Sequence, residues 1–166
     1  SPYAGSEYAF WGSGMINSKG EQLKTENGED MGWLFRWTQN SILYWDGDLE
    51  HEQLDRTIVE GYGDGYLLQG WHYGCGTINS TKENASLTAD LFGDWREEIV
   101  WPTFEGNSIK ILTTNIPTEY RIHTLMHDTQ YRCQVACQNV GYNQPPHTSF
   151  FLGTDYPLPE QPDVTS

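Results

Sequence analysis

Long amphipathic helix patterns are absent from the chain, and most apolar positions fall in short stretches bounded by turn residues. Glu98–Thr103 and Ser108–Thr114 flank a Gly-Asn turn at 106–107, which predicts a β-hairpin. Tyr120–Met126 and Tyr131–Cys137 flank the tetrapeptide HDTQ and predict a second hairpin. Shorter strands are expected at Tyr8–Gly12, Ile42–Trp45 and Tyr66–Trp71.

The same pattern leaves little room for helix and suggests a simple division of the chain. The best helical candidate is one or two turns around Glu50–Ile58, where apolar residues are sparse. The sequence after Gly153 is rich in proline, which predicts a surface strap or a disordered end. We therefore expect an all-β unit over residues 1–153 and a tail over residues 154–166.

One acidic turn occurs twice in the sequence. The first acidic turn (Tyr44–Glu52) reads YWDGDLEHE, and the second acidic turn (Asp90–Glu98) reads DLFGDWREE. Their alignment places Gly47 on Gly93, Asp48 on Asp94 and Glu52 on Glu98, 46 residues apart. This spacing lies in the range of one four-stranded propeller blade, and a chance match of two copies is the alternative.

Both turns carry the donor groups that calcium prefers. Calcium takes six to eight hard oxygen ligands, which loops supply from carboxylates, one backbone carbonyl and a closing glutamate. The candidate ligands are the carboxylates of Asp46, Asp48, Glu52, Asp90, Asp94 and Glu98 and the carbonyl of Arg96. Tyr44 and Phe92 fill positions where a further aspartate is expected. The alternative is a structural ion pair between Arg96 and a carboxylate.

Charge limits the partners of the chain. The 166 residues include 9 Lys and Arg against 23 Asp and Glu, a net charge of −14. Unassisted binding to nucleic acid or to an anionic membrane is thereby disfavoured, and an anionic ligand would need a bound cation. The 7 Trp, 10 Tyr and 6 Phe suit strands and sugar-stacking surfaces. The sequence starts without Met, so we expect that an N-terminal portion was removed or is encoded elsewhere.

Cysteine and histidine give no metal motif. On a strand, Cys133 and Cys137 would lie roughly 13 Å apart, too far for a disulfide. We expect Cys75, Cys133 and Cys137 to be buried free thiols. The five histidines lack a metal-binding spacing, which disfavours a zinc site.

Two loops carry groups suited to a hydroxyl-rich ligand. GCGTINSTK (Gly74–Lys82) combines amides, hydroxyls and one cation, although a plain polar turn would have the same composition. In GYNQPPHTSFFLG, the double proline stiffens the turn that follows Tyr142 and Asn143. Tyr142 is a candidate phenol beside a ligand, with a buried core tyrosine as the alternative.

The segments ADLFGDWREEIVW, LMHDTQYR and NVGYNQPPHTSFFLG together resemble the C-terminal part of rhamnogalacturonan lyases of polysaccharide lyase family 11. YWDGDL and INSTK fit the order of that family. The resemblance implies about three blades of an eight-bladed β-propeller, bound Ca²⁺, and cleavage of rhamnogalacturonan I, a pectin polysaccharide, by β-elimination. It also implies a secreted enzyme that acts only together with the missing N-terminal portion.

The resemblance assigns roles residue by residue. Lys82 and Tyr142 become the catalytic candidates, with acid and base not distinguished, and both acidic turns become calcium sites. The implied substrate-binding residues are Asn79, Ser80, Thr81 and Asn143. Ala85, Tyr44 and Cys137 depart from residues common in the family. The competing interpretation is a non-catalytic, calcium-stabilised propeller fragment that binds carbohydrate or protein.

Overall fold

The structure is a computed structural model. The structure describes residues 8–10, 14–16, 21–24, 27–30, 40–61, 64–138, 140, 144–153 and 156–163. Within these ranges the chain is built mainly of antiparallel sheet with one α-helix. The strands are β1 (Tyr8–Phe10), β2 (Gly14–Ile16), β3 (Ser41–Leu43), β4 (Glu52–Asp55), β5 (Ile58–Gly61), β6 (Gly65–Gln69), β7 (Leu87–Ala89), β8 (Glu98–Pro102) and β9 (Ile109–Leu112).

Two of the sheets repeat one another. β3 to β6 form a four-stranded antiparallel sheet whose spatial order equals the chain order, and β7 to β9 form a three-stranded one. Ser41 of β3 pairs with Leu54 of β4, and Leu87 of β7 pairs with Val100 of β8. Each residue of the second pair lies 46 positions after its counterpart in the first pair. The repeat found in the sequence is therefore also a repeat of strand pairing.

Several predicted strands are confirmed. β8 and β9 form the expected antiparallel hairpin, and β1, β3 and β6 begin within the three shorter segments or one residue ahead of them. The helical candidate at Glu50–Ile58 is wrong, because β4 occupies its centre. All four β4 residues are buried although three of them are polar, so the strand has no apolar alternation to find.

The second predicted hairpin is also wrong. Its second arm is helix α1 (Thr129–Cys137), and its first arm ends in a 3-10 turn at Leu125–His127. The Asp128 side chain caps α1 by accepting a bond from the backbone N–H of Gln130 at 3.0 Å. Between β9 and this turn, residues 113–124 (the strap) form neither helix nor strand.

Two apolar clusters hold these parts together. The first joins the two sheets and consists of Leu43, Trp45, Leu54, Val59, Cys75, Ala85, Ile99 and Trp101. The second lies between the acidic turns, the strap and α1 and consists of Tyr44, Leu49, Trp95, Ile122, Leu125, Tyr131 and Leu152. Each cluster draws on both repeats, so the two sheets form one packed body.

The cysteine prediction is half right. All three thiols are free and Cys75 is buried, but Cys133 and Cys137 are exposed on α1. Tail residues 156–163 contain neither helix nor strand, and the proposed boundary at Gly153 stays a prediction. Within the described ranges, no helix has the length and the apolar composition needed to cross a bilayer.

Candidate functional site

The first acidic turn connects β3 to β4 and gathers three carboxylates. One oxygen from each of Asp46, Asp48 and Glu52 lies within 4.8 Å of the other two. The backbone N–H of Asp48 donates to Asp46 Oδ1 at 2.9 Å, and that of Glu50 donates to Asp48 Oδ1 at 2.7 Å. Glu52 Oε2 accepts from Trp45 N at 2.7 Å. Among the residues that the structure describes, the second oxygen of each carboxylate accepts no hydrogen bond.

Burial and mutual repulsion make this turn electrostatically unfavourable without a cation. Desolvation by burial is the main cause that raises the pKa of Asp46, and the charges of Asp48 and Asp64 add to it. Burial also raises the pKa of Glu52 well above its usual range, with the Asp46 charge as the next cause. A hard divalent cation would relieve both effects, so the donor set fits calcium.

The second acidic turn copies the backbone bonds of the first. Leu91 N and Phe92 N donate to Glu98 Oε2 at 2.8 and 3.0 Å, as Trp45 N and Asp46 N donate to Glu52. Arg96 N donates to Asp94 Oδ1 at 3.2 Å. This bond matches the one from Glu50 to Asp48 in the first turn. The two loops therefore share these bonds, although Gly93 and Trp95 have left-handed φ angles of 79° and 72° and their counterparts Gly47 and Leu49 do not.

The carboxylates of the second turn are more fully engaged. Asp94 Oδ2 accepts from the Arg96 guanidinium at 2.7 Å, so the ion pair that the sequence left open is present. Asp90 Oδ1 accepts from Gly93 N at 2.7 Å, and its Oδ2 accepts from Thr124 Oγ1 at 2.7 Å. The calcium predicted for Asp90, Asp94, Glu98 and the Arg96 carbonyl stays a prediction.

The strap crosses both turns. Thr113 Oγ1 donates to Glu98 Oε1 at 2.9 Å, and the Ile116 carbonyl accepts from the Arg96 guanidinium. Thr118 Oγ1 then donates to the Gly47 carbonyl at 2.7 Å. The two acidic turns are thereby linked through one extended segment.

The predicted substrate loop projects into solvent. Asn79, Ser80, Thr81 and Lys82 are all exposed, and a 3-10 turn spans Ser80–Lys82. Asn79 and Ser80 have φ angles of 62° and 48°, in the left-handed region that few non-glycine residues occupy. Such backbone conformations cluster at functional sites, where the surrounding structure maintains them.

Residues that the sequence analysis missed hold the base of this loop. Asn40 Nδ2 donates to the Lys82 carbonyl and to Asp55 Oδ1, both at 2.7 Å. Arg56 pairs with Glu83 at 2.5 Å. No short motif marks Asn40 or Arg56, because their partners come from other elements. A small surface depression adjoins the loop and is lined by Asn40, Ser41, Leu54, Arg56, Asn84, Ala85, Thr88, Gln138 and Gln144.

The loop and the acidic turns lie at opposite ends of the sheets. Asn40 precedes β3 and Asp55 closes β4, so the Lys82 carbonyl is bound at one end of that hairpin. The first acidic turn joins the two strands at the other end. The structure therefore brings the candidate calcium ligands together but does not place them beside Lys82.

Tyr142 and Asn143 lie outside the described residues, but the segment that follows them is anchored to α1. Gln130 Nε2 donates to the Thr148 carbonyl at 2.9 Å, and His147 N donates to Gln134 Oε1 at 2.7 Å. Gln138, directly after α1, bonds to both backbone groups of Thr88 in β7. Helix α1, which the sequence analysis missed, thus fixes residues 147–148 against the second sheet.

Comparison with known proteins gives one family over nearly the whole chain. Residues 2–162 match the family model described as rhamnogalacturonan lyase family 11, C-terminal domain. The rhamnogalacturonan endolyase YesW of Bacillus subtilis is 42% identical, with 96% of this chain and 24% of that protein aligned. The rhamnogalacturonan exolyase YesX of the same organism is 39% identical over 90% of this chain and 25% of its own length.

A solved structure agrees with these matches. The rhamnogalacturonan lyase PL11 of Bacillus licheniformis superposes with a TM-score of 0.75 at 41% identity, covering 87% of this chain and 25% of that one. The chain spans about a quarter of the length of the curated relatives it matches.

Proposed function

The chain belongs to rhamnogalacturonan lyase family 11, and on that premise we propose that it forms the C-terminal part of an enzyme that cleaves rhamnogalacturonan I. The observation that carries the proposal is the similarity to an endolyase and an exolyase over 96% and 90% of this chain. Because those relatives are much longer, the activity belongs to the complete protein. The missing N-terminal portion is its necessary partner.

The proposed reaction is a β-elimination at the rhamnosyl-(1→4)-galacturonate bond. A base removes the proton on C5 of galacturonate, next to the carboxylate. The electron pair forms the C4–C5 double bond as the rhamnosyl oxygen leaves C4 and takes up a proton. Charge that develops on the carboxylate needs nearby donors or a cation. The product is a 4,5-unsaturated uronate.

We assign the proton transfers to Lys82 and Tyr142 without dividing acid from base. Lys82 lies on an exposed loop whose left-handed residues are maintained by bonds at its base, which favours a functional over a plain polar turn. Asn79, Ser80 and Thr81 of the same loop and Asn143 supply amide and hydroxyl groups for the sugar.

Calcium has a structural part in this proposal. Asp46, Asp48 and Glu52 would hold the ion, which would neutralise their charge and keep the first acidic turn closed. Because this turn lies at the end of the hairpin away from Lys82, the ion contributes to the fold of the protein and not to proton transfer on that loop.

The architecture we propose is about three blades of an eight-bladed β-propeller. The four-stranded sheet β3 to β6 has the strand order of a blade, and the shared register of β7 and β8 supports a second. The missing portion would complete the ring. A polymeric pectin substrate lies outside the cell, so we propose that the enzyme is secreted.

The test is ultraviolet absorbance of the unsaturated product formed from rhamnogalacturonan I by the complete protein. Lys82→Ala and Tyr142→Phe should each lower kcat by ~10²-fold or more, the usual contribution of a proton-transfer group. Lys24→Ala is the matched control, since Lys24 is an exposed lysine that pairs with the exposed Asp30.

Two results would count against the proposal. Full activity in Lys82→Ala or Tyr142→Phe removes that residue from the chemistry. Binding of pectin by the folded, complete protein without any unsaturated product would replace the lyase with a carbohydrate-binding propeller.

A further inference from the structure

The two acidic turns share backbone hydrogen bonds to two of their carboxylates but differ in how their charge is balanced. From this difference we propose that the second acidic turn needs no metal ion, because the Arg96 guanidinium takes the place that a cation takes in the first. The role of a cation in the first turn rests on the calcium proposed above. That the second turn needs no ion rests only on the contacts of Arg96.

The shared register identifies which residues correspond. Asp48 corresponds to Asp94 and Glu52 to Glu98. In its own turn, each of these carboxylates accepts a hydrogen bond from the equivalent backbone N–H group. Glu50 stands where the second turn has Arg96. One substitution in the repeat therefore places a positive charge inside a loop that is otherwise acidic.

The Arg96 side chain balances negative charge within the second turn. Its guanidinium pairs with Asp94 Oδ2 at 2.7 Å and also donates to the Ile116 carbonyl of the strap. The Arg96 side chain is only 12% exposed. A calcium ion bound at Asp94 would have to lie next to this enclosed cation, which the repulsion between like charges opposes.

Every carboxylate oxygen of Asp90, Asp94 and Glu98 accepts a hydrogen bond from the described residues. Asp90 Oδ2 accepts from Leu125 N at 2.8 Å in addition to Thr124 Oγ1, and its Oδ1 accepts from Gly93 N. Glu98 and Asp94 likewise accept on both oxygens. In the first turn, by contrast, each of Asp46, Asp48 and Glu52 accepts from protein donors on one oxygen only, within the part of the chain that the structure describes.

Arg96 also performs the cross-linking that a metal performs in loops of this kind. Its bonds join the second turn to the strap at Ile116, and two residues further on the strap reaches Gly47 of the first turn. An arginine with a carboxylate on one side and a carbonyl on the other holds two segments together without any ion.

The repeat supplies its own matched pair of variants, Asp48→Asn and Asp94→Asn. Calcium ions bound per chain would be counted by atomic emission and calorimetry in the complete protein, whose other sites cancel in the difference from the parent. Asp48→Asn should lose one ion per chain and Asp94→Asn none. Loss of an ion from Asp94→Asn would overturn the inference. If neither variant loses one, the calcium proposed for the first turn is wrong, whereas the metal-free second turn is upheld.

Thermal unfolding separates the two roles independently of the ion count. Arg96→Gln should lower Tm by about 2 °C or more both in calcium and in chelator, because the bonds it removes need no metal. Asp48→Asn should lower Tm in calcium and leave it nearly unchanged in chelator. An Arg96→Gln protein with the parent's Tm in chelator would show that Arg96 does not hold the second turn.

Discussion

Glu97 is a buried acid within the second acidic turn. Tyr131 Oη donates to its Oε1 at 2.5 Å, and Tyr44 N donates to its Oε2 at 2.9 Å. Burial raises the pKa of Glu97 to about 7, against the opposing effect of these two hydrogen bonds. The carboxyl group therefore gains or loses its proton near neutral pH in the folded protein, whereas in the unfolded chain it does so near its ordinary value of 4.5.

Glu97 should make stability fall as pH rises. Between the unfolded and the folded pKa, the folded state holds more protons, so the stabilisation is fully present below about pH 4.5 and is lost as pH rises through about 7. Glu97→Gln imitates the protonated acid. It should flatten the decline in the free energy of unfolding, measured by urea denaturation and tryptophan fluorescence from about pH 5 to 8.

Glu105→Gln is the control for this series, because Glu105 is an exposed acid in the β8–β9 turn. It should keep the parent's pH dependence. If Glu97→Gln kept the same dependence too, the proton on Glu97 would have no part in stability.

Among the structural elements, the strap packs directly against the first acidic turn. A Cβ atom added at Gly47 would lie well inside the van der Waals distance of the Pro117 carbonyl oxygen, which belongs to the backbone and cannot rotate away. Gly47→Ala should therefore push the strap off the turn. We expect a loss of about 1–3 kcal/mol in the free energy of unfolding, the usual cost of overpacking, measured by urea denaturation.

Gly76→Ala is the matched control. An added Cβ there would have its nearest neighbour at 3.6 Å, an ordinary contact. Equal stability of the two alanine variants would mean that the strap does not press on the turn.

The elements differ in how far the sequence predicts them. The β8–β9 hairpin follows from a Gly-Asn turn between two apolar stretches. Helix α1 does not, because Tyr131 is its one buried residue and no apolar stripe marks it. Its start is set by the Asp128 cap, a signal of a single residue.

For the molecule as a whole, sequence predicts the repeat and the candidate ligands, but not how those ligands are used. The spacing of Asp46, Asp48 and Glu52 is local, and the structure gathers their oxygens as expected. Asp90, by contrast, is bound by Thr124 and Leu125, more than thirty residues away. Partners that tertiary packing brings together leave no mark in a local pattern.

The two clusters allow a measurement of how the whole body opens. Cys75 is completely buried in the cluster that joins the sheets, and burial raises the pKa of its thiol, while Cys133 and Cys137 are exposed. Cys75 should react with a thiol reagent ~10³-fold or more slowly than the α1 thiols in native buffer, since opening must come first. Its rate should rise with urea as the sheets separate.

The reaction rate of Cys75 is the rate of the phase that is present in the parent and missing from Cys75→Ser. Cys133→Ser is the control, because it should lose a fast-reacting thiol instead. A fast thiol missing from Cys75→Ser in native buffer would contradict the packing of the first cluster.

The outer edge of β9 has a practical consequence for handling the protein. The strand ends the three-stranded sheet, and its Ile109 and Ile111 are 65% and 49% exposed. Unpaired, apolar strand edges recruit other extended chains, and purified fragments with such edges tend to precipitate. Preparations of this chain would therefore be limited by solubility at this strand, and charged residues at Ile109 or Ile111 are the natural remedy.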